Sequence, residues 1–197
     1  EFLAEETNRP EPFRYDLPTP DGRPMRIGNT PRIDPGPDDT FSSYDLPWAN
    51  ASNAPFRLYK HWVHEGGIAT PLLARWPRGI GVQPRTVHTP VHIIDFMPTF
   101  LEAAGVEYPE QREGHALPPM EGCSLLPLLR GEPFAREQPL FWEHEGNRAV
   151  RRGRWKLVCR HPGAWELYDM IEDRTELDDL AGAKPDVVRE LSALHDR

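Results

Sequence analysis

No stretch of this 197-residue chain approaches the roughly 20 consecutive apolar residues that a helix needs to cross a bilayer, which excludes a helical membrane span. Basic charge is also short: 23 Lys and Arg stand against 31 Asp and Glu, a formal net charge of -8. That balance argues against a nucleic-acid surface, whose footprint is a basic face. An anionic small-molecule substrate would have to be met by positive charge gathered locally. Cysteine is scarce, with only Cys123 and Cys159. They are compatible with one disulfide in an oxidising compartment or with two free thiols. No glycine-rich phosphate cradle, Ser-His-Asp order or Cys-His pairing is present. His61-x-x-His64-Glu65 lacks the His-Glu-x-x-His order that sets two ligands and a general base on one helical face, so that pair is not expected to hold zinc.

What the chain has in plenty is proline, 23 residues in all. Eight fall between Pro10 and Pro37, among Gly22, Gly28 and Gly36, so neither a helix nor a central strand can run far there. This segment is expected to be loop, either an ordered lid or a disordered stretch. Arg14, Arg23, Arg26 and Arg32, with Phe13 and Tyr15, could meet an anionic or sugar-like substrate there or be scattered surface residues.

After Trp48, Ser52 or Asn53 can cap a helix with Pro55 in its first turn, running to about Glu65. At about 100° per residue, Phe56, Tyr59 and Val63 would share one side of it, with Lys60 about 40° from Phe56 at the edge of that stripe. Gly66 and Gly67 would supply a positive-φ exit. Lys60 then either snorkels to water or presents its ammonium to an anion. His64 would fall about 40° beyond Lys60 on the same side. Ile68 to Trp76 reads as a strand of a helix-covered, largely parallel sheet.

Asp95 is expected to cap a helix that buries Met97, Phe100, Leu101 and Ala104 and ends at Gly105. Residues 106–135, rich in Pro and Gly, read as a connection. Beyond Pro139 come four short strands, Leu140 to Glu145, Arg148 to Arg152, Trp155 to Arg160 and Trp165 to Met170. They are separated by Gly146-Asn147, Arg152-Gly153 and Pro162-Gly163, as in an antiparallel meander. A terminal helix from about Lys184 to His195 would turn Val187, Val188, Leu191 and Leu194 to that sheet. Glu143 and Glu145 share a strand face and are expected in solvent, and the acidic run from Glu172 to Asp179 is expected to be a solvated loop.

Four motifs in order carry a family resemblance over about residues 45–195. Leu58-Tyr-Lys60, a spacer, Glu65-Gly-Gly67, then Thr70-Pro71 and Arg75-Trp-Pro77 resemble the C-terminal half of an arylsulfatase-type, formylglycine-dependent sulfatase. Asp95-Phe-Met-Pro-Thr-Phe-Leu-Glu-Ala-Ala-Gly105 is similar to its Asp-x-x-Pro-Thr helix, and Gly122-Cys-Ser-Leu-Leu-Pro-Leu-Leu-Arg-Gly131 to its Gly-x-Ser-Leu-x-Pro-Leu-Leu-x-Gly segment. Val150 to Val158 and Glu166-Leu-Tyr-Asp169 resemble strands of its small terminal domain.

The resemblance implies an α/β chain, the C-terminal part of an alkaline-phosphatase-like fold with a small antiparallel-sheet-plus-helix terminal domain. It divides the chain into a Pro-rich insert (1–47), the end of the large domain with its connection (48–135) and the small domain (136–197). It implies hydrolysis of aryl or carbohydrate sulfate esters, with Lys60 as the sulfate-binding catalytic lysine and His64, His144 and Arg148 as candidate substrate contacts. The alternatives are a phosphoesterase or phosphonate hydrolase of the same superfamily, or a non-catalytic binding module.

The family's nucleophile arises by oxidising the first residue of Cys/Ser-x-Pro-x-Arg, and its calcium by an early Asp-Asp pair and a later Asp-Asn-Gly. Neither Cys/Ser-x-Pro-x-Arg nor Asp-Asn-Gly is present: Cys123 precedes Ser-Leu-Leu, Cys159 precedes Arg-His-Pro, and the Asp-Asp pairs that do occur, Asp38-Asp39 and Asp178-Asp179, have no Asp-Asn-Gly after them. Calcium ligands and formylglycine are therefore expected upstream, in a missing N-terminal part of the same polypeptide, and this chain alone is expected to be inactive. A sulfated small molecule or glycan is the expected partner, and a periplasmic or secreted location is implied.

Overall fold

A computed structural model describes residues 18–28, 30–42, 45–81 and 85–195, so Phe13, Arg14 and Tyr15 lie outside the described residues. The chain divides into two compact units, one of residues 1–69 with 141–197 and one of residues 70–140.

The first unit is built on four strands, β5 (Leu140–His144), β6 (Asn147–Arg152), β7 (Trp155–Cys159) and β8 (Trp165–Asp169), hydrogen-bonded in that order. The meander read from the sequence is present. Val150 lies opposite Leu157, and Leu157 opposite Leu167. Because side chains alternate along each strand, these three share a face. They pack with Leu191, Val187, Val188 and Leu194 of the terminal helix α6 (Pro185–His195), as its 3.6-residue period requires. The opposite face carries Ala149, Val158 and Tyr168, packed with Val63, Met170, Ile68 and Trp142. Covered on both sides, β7 is buried from Lys156 to Cys159 instead of alternating between core and water.

The β5–β6 turn is Glu145-Gly146, with φ of 52° and 82°, one residue earlier than the expected Gly146-Asn147. Asn147 is 2% exposed and enters β6, because its amide is needed inside the fold. The described part of the Pro-rich segment holds a short parallel pair, β1 (Arg26–Ile27) with β2 (Thr40–Phe41). Arg26 makes two 2.9 Å hydrogen bonds to Asp39, and Arg23 pairs with Asp21 and Asp38, so these two arginines are committed to local carboxylates.

Two expectations near residue 60 are corrected. Helix α1 spans Asp45–Asn53, so a helix ends where one was expected to start. Residues 54–64 form no helix, because Leu58 and His61 adopt left-handed φ of 66° and 97°, which no helix accommodates. The next helix, α2, is only Glu65–Ile68.

In the second unit, residues 70–76 carry no strand, contrary to the reading of Ile68 to Trp76, and Leu73 is 95% exposed. No other described strand lies beside this segment to supply a ladder. After α3 (Pro77–Ile80) and a 3-10 turn at Ile93–Asp95 comes α4 (Phe96–Ala104), which ends at left-handed Gly105 as expected. Its inward residues are Pro98 and Thr99, whereas Met97 and Phe100 are exposed, reversing the expected face. A hairpin of β3 (Gln111–Arg112) and β4 (His115–Ala116) and the helix α5 (Leu126–Arg130) complete the unit.

Asp95 does not cap α4. Its buried carboxylate accepts hydrogen bonds from the His92 and Cys123 amides at 2.8 and 3.1 Å and pairs with Arg136. Burial pushes its pKa up, but the Arg136 and backbone hydrogen bonds outweigh this and hold it below the usual carboxylate range. One aspartate thereby ties three separated segments together.

Candidate functional site

The loop bearing Lys60 is held from beneath. Gly66 and Gly67 sit inside α2, and neither has a positive φ, so the expected glycine exit is not their role. What they provide is the absence of a side chain. A Cβ on Gly66 would lie 2.2 Å from the Leu58 carbonyl oxygen, and one on Gly67 would lie 1.8 Å from that of Trp62 and 2.7 Å from that of Tyr59. The loop carbonyls on both sides of Lys60 are thus packed directly on the α2 backbone. Lys60 itself is exposed, and among the described residues its ammonium has no hydrogen-bond or ion-pair partner.

Under α2 lies a buried ionic cluster. Lys156 is fully enclosed on β7, with its Nζ 3.0 Å from Glu65 Oε1 and 2.7 Å from Glu176 Oε1. Glu65 also meets Arg174 at 3.2 Å, and Glu176 accepts the Glu65 backbone N–H at 2.8 Å, at the start of α2. Two carboxylates and two cations balance. Burial alone would raise the Glu65 pKa, but the charge and hydrogen bond of Lys156 outweigh it, and the net shift is downward.

The cluster corrects the expectation of a solvated acidic run at Glu176, while Glu172, Asp178 and Asp179 are exposed as expected. Glu176 is 0% exposed, and Asp173 and Asp179 each accept backbone N–H bonds from neighbouring residues. The signal in the sequence was Lys156 itself, a lysine in an otherwise apolar strand, which demands carboxylates from elsewhere in the chain.

A second polar chain continues along the same sheet face. His64 Nε2 lies 3.2 Å from Glu166 Oε2, the Tyr168 hydroxyl donates to that oxygen at 2.6 Å, and Arg57 donates to the Tyr168 oxygen at 3.1 Å and to the Glu176 carbonyl at 2.8 Å. The His64 hydrogen bond, reinforced by Tyr168 and Arg57, holds the Glu166 carboxyl down to about 2 despite burial. Burial, then the adjacent carboxylate, pushes the Tyr168 phenol up. His64 is 0% exposed, and without the expected helix it does not share a side with Lys60. It lies within the floor of the loop.

The rim is the β5–β6 hairpin. His144 and Glu145 are exposed there, and His61, next to Lys60, reaches the tip with Nδ1 2.9 Å from Glu145 Oε2. The His61 and His144 rings meet edge to face at 5.5 Å. Asn147 donates to the carbonyls of His144 and His61 at 3.0 and 3.4 Å and accepts from the His161 N–H at 3.0 Å. Glu143, exposed as expected, accepts the Gly146 N–H. Arg148 is placed differently: it leaves the sheet on the α6 face, 4.6 Å over the Trp165 ring. Two other cations do reach the loop, Arg160 at 4.6 Å over Trp62 and Arg174 at 5.0 Å over Phe56, and sequence reasoning singled out neither as a loop contact.

This α/β architecture, an antiparallel sheet backed by a terminal helix with a lysine-bearing loop on its other face, is that of the C-terminal region of sulfatases. Residues 56–196 match the family model described as N-sulphoglucosamine sulphohydrolase, C-terminal. An uncharacterized sulfatase of Schizosaccharomyces pombe is 34% identical over 169 residues, covering 78% of this chain and 29% of the relative. Arylsulfatase K of Xenopus laevis is 31% identical over 147 residues, covering 68% of this chain and 26% of the relative. Among solved structures, Ps i-CgsB in complex with k-i-k-neocarrahexaose aligns with a TM-score of 0.60 at 23% identity, covering 73% of this chain and 31% of that one, a likeness of fold. The chain belongs to the sulfatase family and spans less than a third of the length of these relatives.

The residues described here do not themselves fit the family's cofactors. Both cysteines are free. Cys123, the partly exposed one, lacks the formylglycine sequence context, and burial pushes its thiol pKa up, away from a nucleophile. The convergent His/Cys/Asp/Glu group among the described residues is His61, His144 and Glu145, whose two imidazoles suit it poorly to calcium, which takes oxygen ligands.

Proposed function

We propose that this chain serves the hydrolysis of sulfate esters, contributing Lys60 as a sulfate-binding group. The observation that carries it is an exposed lysine without a partner among the described residues, on a loop packed against the backbone of Gly66 and Gly67 and a buried ionic floor, in a chain of the sulfatase family. An ammonium fixed beside a sulfate oxygen stabilises the charge that builds as the S–O bond breaks, an effect that is large where water is excluded. Lysine suits the task as a compact point charge with rotatable donors.

His144, on the hairpin rim, is the proposed substrate contact. His64 acts from below, through Glu166, as a positioning residue. Arg148, stacked on Trp165, is left out of the direct contacts. The nucleophile and calcium would come from elsewhere in the polypeptide, so this chain alone would be inactive. Residues 1–47, 48–135 and 136–197 would be an insert, the end of the large domain and the small domain. A sulfated small molecule or glycan is the proposed substrate class, and a periplasmic or secreted setting suits it. No helix among the described residues is long and apolar enough to cross a membrane.

Assaying the full-length protein on an aryl sulfate and its aryl phosphate counterpart tests the reaction class. Faster cleavage of the sulfate is expected. Preference for the phosphate, or cleavage of neither, would overturn it.

A further inference from the structure

We propose that His61, His144 and Glu145 form a binding site for a divalent transition-metal ion of the zinc type, separate from the sulfate-binding role of Lys60 and competing with substrate for the His144 imidazole. Each offers one ligand atom, and the three atoms lie within 4.8 Å of one another. In a tetrahedral zinc site with bonds near 2.0–2.1 Å, neighbouring ligand atoms stand about 3.4 Å apart. His61 Nδ1 and Glu145 Oε2, at 2.9 Å, are already inside that spacing, so a modest rotation of the exposed His144 closes the set. Two imidazoles and one carboxylate suit zinc, copper or nickel and are wrong for calcium or magnesium, which favour oxygen.

An ordinary surface ion pair between His61 and Glu145 would need neither the second imidazole nor the way the backbones are held. Asn147, 2% exposed, donates to the carbonyls of both His61 and His144 and is itself fixed by the His161 N–H. One buried amide therefore sets the spacing of the two imidazole-bearing backbones before any ion arrives. His61 and Glu145 both hold left-handed φ, 97° and 52°, and their side chains meet at the hairpin tip at 2.9 Å. Glu145 is 60% exposed at the side chain and His144 is exposed, so an ion would reach the group from the hairpin side.

The test is equilibrium Zn²⁺ binding to the full-length protein, read by competition with a chromophoric chelator, for wild type and for His144→Ala, Glu145→Gln and Asn147→Ala. Wild type is expected to bind one Zn²⁺ more than His144→Ala does. Glu145→Gln should weaken that binding at least ~10-fold, since loss of a mere supporting residue already costs about 10–100-fold, and Asn147→Ala should fall in that supporting range. Co²⁺ should give visible ligand-field bands in wild type that vanish in His144→Ala. Identical Zn²⁺ binding by wild type, His144→Ala and Glu145→Gln, or no Co²⁺ bands in wild type, overturns the site. His144 and Glu145 are exposed, so loss of folding does not confound the comparison. Turnover plays no part in the readout, so its failure is distinguishable from failure of the sulfatase proposal.

Discussion

Lys156 on β7 and Glu176 in the loop after β8 meet at 2.7 Å with neither side chain exposed, and Glu176 in turn receives the first amide of the short helix beneath the Lys60 loop. A buried pair of this kind fixes geometry more than it adds net stability, because desolvation offsets much of the attraction. Removing one partner is another matter.

Lys156→Met leaves Glu65 and Glu176 buried without their shared cation, which should cost about 3–5 kcal/mol. Urea unfolding of the variant checks this. Adding Glu176→Gln and Glu65→Gln to it should recover part of the loss, and a Lys156→Met protein as stable as wild type would show that the cluster does not hold α2.

Gly67→Ala forces a methyl group to within 1.8 Å of the Trp62 carbonyl, where only backbone can yield. The expected cost is about 1–3 kcal/mol. Gly182→Ala is the control, since nothing lies within 4 Å of its Cβ position and its φ is not left-handed. Its effect should stay within about 0.5 kcal/mol. Equal thermal shifts in the two variants would refute the close-packing account of Gly67.

Glu166 gives a pH signature. Its carboxyl has a folded pKa of about 2 against an ordinary 4.5, so it contributes stability that is fully present above the ordinary value and is lost as pH falls through the folded one. Glu166→Gln should therefore destabilise the protein at neutral pH, with the gap to wild type closing between about pH 4.5 and 2. Denaturant midpoints measured across that window check it. A gap independent of pH would mean that Glu166 acts by shape alone.

The meander and terminal helix were legible because their determinants are local: two-residue turns carrying glycine, and Val187, Val188, Leu191 and Leu194 at helical spacing. The family was legible from the residues around Lys60, though their conformation was not. Phe56, Tyr59 and Val63 have helical spacing, yet Leu58 and His61 turn left-handed, and no residue type there announces it. Gly66 and Gly67 were visible as special, but a glycine needed for positive φ and one needed for close approach look alike in a sequence. The partners of Lys156 were hidden by distance, since Glu65 lies 91 residues away along the chain. Met97 and Phe100 show the converse limit: an apolar stripe states what a helix can bury, and the surrounding chain decides whether it does.

Turnover of an aryl sulfate by Lys60→Ala in the full-length protein tests the central claim most directly. Because Lys60 is exposed and without a partner among the described residues, the fold should survive, and circular dichroism would confirm that it does. A fall in kcat of at least ~10-fold is expected, with Lys60→Arg recovering part of it, as for loss of a preorganised donor to a developing oxyanion. Unchanged kcat and KM in a folded Lys60→Ala protein would contradict the assignment of Lys60 to sulfate.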